Sequence, residues 1–159
     1  MSRPLRSVGV DFVDSAPLRL VFSARMSAPP GEVYRALADD VADWPRWFTS
    51  VTAARPTGGR TGREVRLRGG VALRETVLAA DPGERYAYRV DEAGAPGVRA
   101  LVEEWLLAPD GIGTRVRWTF AADGSGPFRF ALRLGRSGMG RAFRDAVRAL
   151  DGRLAAASA

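Results

Sequence analysis

The side chains of this chain that could move a proton or attack carbon are carboxylates, tyrosines, serines, threonines and arginines, because it contains no histidine and no cysteine. All 24 basic residues are arginine, and lysine, asparagine and glutamine are absent as well, a pattern that follows A-rich codons and reads as GC-rich coding bias. These absences exclude the usual general base, a thiolate nucleophile, a Cys-based zinc site, a Schiff-base lysine and a P-loop lysine. Acid–base chemistry is left to a few carboxylates and phenols. Glu75 shares the alternation of Val71, Leu73 and Val77. That face is otherwise apolar, so Glu75 is the carboxylate expected to enter an interior, with an outer-face ion pair as the alternative. Tyr86 alternates with Tyr88 and Val90 in the same way.

Other groupings carry less. Glu103 and Glu104 are adjacent in VEEWL. Neighbours in a strand point to opposite faces, so only one can face inward. An exposed glutamate bonded to a cross-strand arginine is the simpler expectation. Asp39, Asp40 and Asp43 lie close enough to suggest a hard-cation site but lack the oxygen-ligand spacing of a calcium loop. Turn and cap duties account for them, and neither metal nor cofactor is expected. GRSGMG (135–140) lacks G-x-G-x-x-G spacing and reads as a hinge or a close helix–sheet approach.

The elements that must position these groups follow from periodicity. LRLVFSARMSA (18–28) puts Leu18, Leu20, Phe22, Ala24 and Met26 on one face of a strand. Pro29 and Pro30 then start a helix that ends near Asp39 and Asp40. A second short helix follows, with Asp43 as its cap and Pro45 in its first turn. In that turn Trp44, Trp47 and Phe48 share a face, which either plugs a core or rims an apolar cavity. From residue 50 onward, short strands separated by tight turns predict an antiparallel meander. Met139, Phe143, Ala146, Val147, Leu150 and Leu154 recur at helical spacing in the final segment. The prediction is an α+β domain over 17–159: one curved antiparallel sheet with a long amphipathic helix across one face. A curved sheet cannot press along the whole length of a straight helix, so space is expected between them. Residues 1–16 form an extension available for an extra strand.

Net charge is +6, but the arginines are spread along almost every segment, so nucleic acid is not the expected partner. No run has signal-peptide or membrane-span character, which predicts a cytoplasmic protein without stable membrane insertion. Oligomeric state, monomer or homodimer, is left open.

SAPPGEVYRALADDVADWPRWF (27–48), with its proline pair, helix and Trp-Pro-x-Trp corner, resembles the N-terminal signature of the START/polyketide cyclase-like (SRPBCC) superfamily. AADPGERYAYRV (79–90) and the C-terminal helix agree, and the resemblance spans 17–157. It implies a helix-grip fold, in which a curved sheet of about seven strands wraps a long C-terminal helix and two short helices follow strand 1. It also implies a lipid-, polyketide- or isoprenoid-like ligand held between sheet and helix. The lining expected on that basis is Trp44, Trp47, Phe48, Tyr86, Tyr88, Trp118 and Phe120, with Met139 and Phe143 from the helix; Arg99 or Arg117 would select an anionic ligand if it faced inward.

Aromatase/cyclases of this superfamily place a cavity arginine near the end of the fourth strand and a tyrosine just past the Trp-Pro corner. The matching positions here are near Ala80 and Val51, which can do neither job. Binding is therefore favoured over catalysis. The alternative is a polyketide cyclase, aromatase or dehydratase using Glu75 or Tyr86 as acid/base. A third reading uses the C-terminal helix, where seven Arg face two Asp between Arg129 and Arg153, on an acidic partner or membrane surface.

Overall fold

The computed structural model describes residues 1–159. Strand β1 (Arg3–Pro4) and helix α1 (Phe12–Ser15) make up the N-terminal extension, and β2 (Leu18–Met26) opens the main sheet. Pro30 takes the first position of α2 (Pro30–Tyr34), where its missing N–H costs nothing. The helix runs on through a π turn at Arg35–Asp39 and leaves helical geometry at Asp40. A 3₁₀ turn spans Val41–Arg46. Asp43 lies inside that turn and does not cap it. Burial of Val41 starts the turn earlier than expected, and Asp43 instead faces Arg46 at 3.4 Å and Arg153 at 3.9 Å.

Strands β3 (Val51–Thr57), β4 (Gly62–Leu67), β5 (Ala72–Asp81), β6 (Arg85–Ala93), β7 (Val98–Asp110) and β8 (Gly113–Gly124) follow in sequence. Every pairing is antiparallel, in the order β2-β8-β7-β6-β5-β4-β3. The register slips between Arg74 and Glu75, between Val77 and Ala79, and between Val98 and Ala100. Such irregularities bend a strand and increase its twist, so the sheet curls toward one face.

Helix α3 (Gly126–Leu134) is capped by Ser125, whose hydroxyl accepts from the Phe128 amide at 3.3 Å. It exposes Phe130 and Leu134. Gly135 separates it from α4 (Arg136–Ala157), which lies in the hollow of the sheet and buries Phe143, Ala146, Val147 and Leu150. At Gly140 the helix comes close to the sheet, since a Cβ there would stand 3.1 Å from the Phe22 ring. The solvent-facing arginines of α4 include Arg148, 3.5 Å from Asp145. This is the α+β arrangement expected, with a long helix held by a curled sheet.

The extension reinforces the other side. Beside β1, the Leu5 amide donates to the Asp91 carbonyl and the Arg6 amide to the Arg99 carbonyl, both at 2.8 Å, so the segment fills the gap where β6 and β7 diverge. Phe12 and Val13 then pack on Ala100, Val102 and Ala121 to form a small core on the outer face. No helix is long and apolar enough to cross a membrane.

Candidate functional site

Between the inner face of the sheet, the aromatic corner and the first turns of α4 lies a cavity of about 210 Å³. Trp44 and Phe48 form one wall, Trp118 and Phe120 of β8 another, and Met139 and Ala142 of α4 the third. A larger depression of about 380 Å³ over β3–β5 is open to solvent and edged by Arg55, Glu64, Arg74 and Glu92. Those four are already joined as ion pairs at 2.6 and 2.9 Å. The apolar cavity is the candidate site.

The aromatic corner splits between the two roles open to it. Trp44 and Phe48 stack nearly parallel, their ring centroids 6.1 Å apart, and both reach the cavity. The Trp44 indole is fixed by donating to the Leu37 carbonyl at 3.1 Å. Trp47 packs behind them against Trp44 and Trp105, 2% exposed, as core.

A buried polar chain crosses the apolar wall. Arg63 of β4 stands directly opposite Glu75 of β5, and its Nε donates to Glu75 Oε2. The guanidinium lies 3.8 Å from the Tyr88 ring centroid and 4.2 Å from that of Trp44. Its Nη1 is sealed and has no hydrogen-bond partner; the two π faces take that place. One step across the sheet, Tyr88 of β6 faces Glu103 of β7, and the Tyr88 hydroxyl donates to Glu103 Oε2 at 2.9 Å. Trp118 Nε1 donates to the same oxygen at 3.0 Å, and Trp105 Nε1 donates to the Tyr88 hydroxyl at 3.1 Å.

The electrostatics follow from this wiring. Burial works against charge on Arg63, but Glu75 and the two tyrosines outweigh it and hold the guanidinium above its ordinary pKa. Burial raises the Glu75 carboxyl, and Arg63 opposes the rise. At Glu103 burial is again the largest effect and the Glu75 charge adds to it; the Tyr88, Arg63 and Trp118 contributions oppose them, and the carboxyl is pushed up to about 7. Burial, then the Glu103 charge, keeps Tyr88 a phenol, well above its ordinary value.

Of the residues expected from sequence, Trp44, Phe48, Tyr88, Trp118, Phe120 and Met139 meet at the cavity, as does Glu75. Tyr86 and Phe143 are buried beside it, Tyr86 against Tyr34 and Tyr88, Phe143 beneath Trp105 and Trp118. Arg99 and Arg117 are exposed, away from it. The register slip beside Arg99 takes it off the inward alternation of Leu101, Glu103 and Trp105. Val51 lines the cavity and Ala80 does not.

One polar residue of the site, Arg63, went unrecognised in the sequence, and Glu103 was noted only as one of a pair with Glu104, without deciding which faces inward. The signal for Arg63 was its alternation with Val65 and Leu67, and for Glu103 its alternation with Leu101, Trp105 and Leu107. The cross-strand arginine expected for the glutamate pair belongs to Glu104 alone, on the outer face 3.5 Å from Arg85.

Comparison with known proteins agrees with this architecture. A family profile described as polyketide cyclase/dehydrase and lipid transport matches residues 18–155. The uncharacterized protein Rv2574 of Mycobacterium tuberculosis is 33% identical over 163 aligned positions, covering 97% of each chain. A conserved protein from Geobacillus kaustophilus superposes with a TM-score of 0.70 at 18% identity, over 87% of this chain and 95% of that one. A START superfamily protein from Mycobacterium smegmatis superposes at 0.65 with 13% identity, over 85% and 95%. At those identities the structural matches speak for the fold.

Proposed function

The chain belongs to the polyketide cyclase/dehydrase and lipid transport family, and from that premise we propose that it binds a small hydrophobic molecule in the cavity between the sheet and α4. The observation that carries this reading is the apolar pocket itself, walled by Trp44, Phe48, Trp118, Phe120 and Met139. Aromatic walls give large contact area at little conformational cost. The volume narrows the ligand. A dry protein cavity of about 150 Å³ takes up benzene, so about 210 Å³ suits one ring with short substituents. A long polyketide or acyl chain would need α4 or the aromatic corner to move outward.

Native mass spectrometry of freshly purified protein, with organic extraction of whatever is released, tests the proposal. A stoichiometric apolar adduct of that size supports it. Protein that carries no adduct and takes up no single-ring hydrocarbon refutes it.

The catalytic alternative, a cyclase or dehydratase, has one observation in its favour. Glu103 faces the cavity with a carboxyl pKa near 7, the range in which a general acid or base is effective at neutral pH. Glu75 is engaged by Arg63, and Tyr86 does not line the cavity, so Glu103 with Tyr88 replaces them as the acid–base candidate.

A further inference from the structure

We propose that Glu103 reads the ligand: its Oε1 accepts a hydrogen bond from an O–H or N–H group carried by a single-ring-sized apolar molecule. This rests on the binding function proposed above and names the chemistry of that same ligand.

Most of the polar atoms around the cavity are already engaged or neutralised. Arg63 Nε is spent on Glu75 and Arg63 Nη1 is shut away against the Tyr88 and Trp44 rings, so of the arginine only Nη2 is left, on a guanidinium that Glu75 already neutralises. The indole N–H groups of Trp44, Trp105 and Trp118 each have a protein acceptor. The Tyr88 proton goes to Glu103. Both donors that reach Glu103 converge on Oε2. Oε1 receives no protein donor, and it is not among the sealed partnerless atoms, which are Arg63 Nη1 and Arg129 Nε. Glu103 also lines the cavity, so Oε1 opens into it. Glu75 Oε1 and the Ser50 hydroxyl are also without a protein partner, but Glu75 is neutralised by Arg63 and Ser50 is uncharged, so the uncompensated group the wall presents to a ligand is the Glu103 acceptor flanked by rings.

Charge points the same way. Arg63 and Glu75 cancel as a hydrogen-bonded pair. That leaves Glu103 as the carboxyl without a countercharge, in surroundings where an ionised group is costly unless hydrogen-bonded or paired. A hydroxyl or amine donor supplies the missing partner. Against the ionised carboxylate, a ligand with only acceptor oxygens would set lone pair against lone pair. Nor do the other elements at the cavity supply the partner: α4 brings Met139 and Ala142, and the corner brings Trp44 and Phe48, none of which titrates.

The test uses the whole protein and four probes of one-ring size, toluene, anisole, phenol and benzylamine, titrated by calorimetry at about pH 8.5. That lies above the Glu103 value of about 7, so the carboxyl is ionised and Oε1 is an acceptor. Phenol, benzylamine or both should bind about tenfold or more tightly than toluene and anisole, the worth of one charge-assisted hydrogen bond. Phenol leading identifies a neutral hydroxyl, and benzylamine leading identifies an ammonium group. In Glu103→Gln the amide oxygen still accepts from Tyr88 and Trp118, while the amide N–H faces the cavity. The donor preference should then vanish, with anisole matching phenol. Equal affinities across the four probes in the wild type, or a donor preference that survives in Glu103→Gln, overturns the inference while leaving the apolar cavity intact. Failure of every probe, toluene included, overturns the binding function as well and is recognisable as that separate result.

Discussion

Tyr88 and Glu103 stand directly opposite each other in the β6–β7 pairing, and the phenol donates to the carboxylate at 2.9 Å inside an apolar wall. The contact joins the cavity carboxyl that lacks a countercharge to a phenol that is itself pinned by Trp105 and capped by the Arg63 guanidinium. The wall is thereby stiff where it is polar, and its titration reports on the site.

Stability should depend on pH through Glu103. Burial and the Glu75 charge raise its carboxyl from 4.5 to about 7, so the native state holds the proton more tightly than the unfolded chain. The stabilisation is complete below about 4.5 and is lost as pH rises through about 7. The charged or titratable groups facing it are Arg63, Glu75 and Tyr88. Arg63 and Tyr88 keep their state across that window, and because Glu75 is itself raised by burial, the difference between wild type and the Glu103 variant is what isolates Glu103. Thermal melts of wild type and Glu103→Gln should differ little near the low end and diverge toward about pH 8, with the variant the more stable. A constant offset across that range would contradict the assignment.

The Arg63–Glu75 pair should behave as a unit. Removing one partner, as in Arg63→Met, strands a buried carboxylate and should cost about 3–5 kcal/mol. The double variant Arg63→Met/Glu75→Leu removes both charges and should recover much of that loss. A denaturant-based double-mutant cycle measures the coupling, and simple additivity would mean the two residues do not depend on each other.

Trp47 and Ala142 separate core from cavity. Trp47→Ala removes a 2% exposed side chain from behind the pocket and should cost about 3–5 kcal/mol while the remaining folded protein still binds toluene. Ala142→Leu projects added volume from α4 into the pocket. It should lower toluene affinity about tenfold or more, with stability changed by less than about 1–3 kcal/mol. Unimpaired binding in Ala142→Leu would place the ligand elsewhere.

Deleting residues 1–16 should weaken the fold without reaching the pocket. It exposes the surface beneath Phe12 and Val13 and frees the Asp91 and Arg99 carbonyls. Two bulky buried side chains are worth about 1.5–3 kcal/mol each, so a loss on the order of 4 kcal/mol is expected in chemical denaturation. A truncated chain as stable as the whole would show the outer-face core to be dispensable.

Local patterns in the sequence determined the elements and the inventory of chemistry. Alternation in 18–26, 85–93 and 113–124 marked strands with one apolar face, and helical spacing from Met139 to Leu154 marked the helix they hold. Composition excluded histidine, cysteine and lysine chemistry outright. Those signals are legible because each depends on residues a few positions apart. The polar chain of the site depends instead on which strand residue meets which. Arg63 meets Glu75, Tyr88 meets Glu103, and Trp118 reaches Glu103 only in the observed register, and a one-residue slip would turn every one of these side chains to the other face. The same holds for the choice of Glu103 over Glu104, for Arg99 facing outward, and for Trp44 reaching the cavity while Trp47 backs it. Those outcomes were decided by long-range pairing and by the bulges that curl the sheet onto α4, because only there do the packing of distant segments and the cost of burying charge select one arrangement.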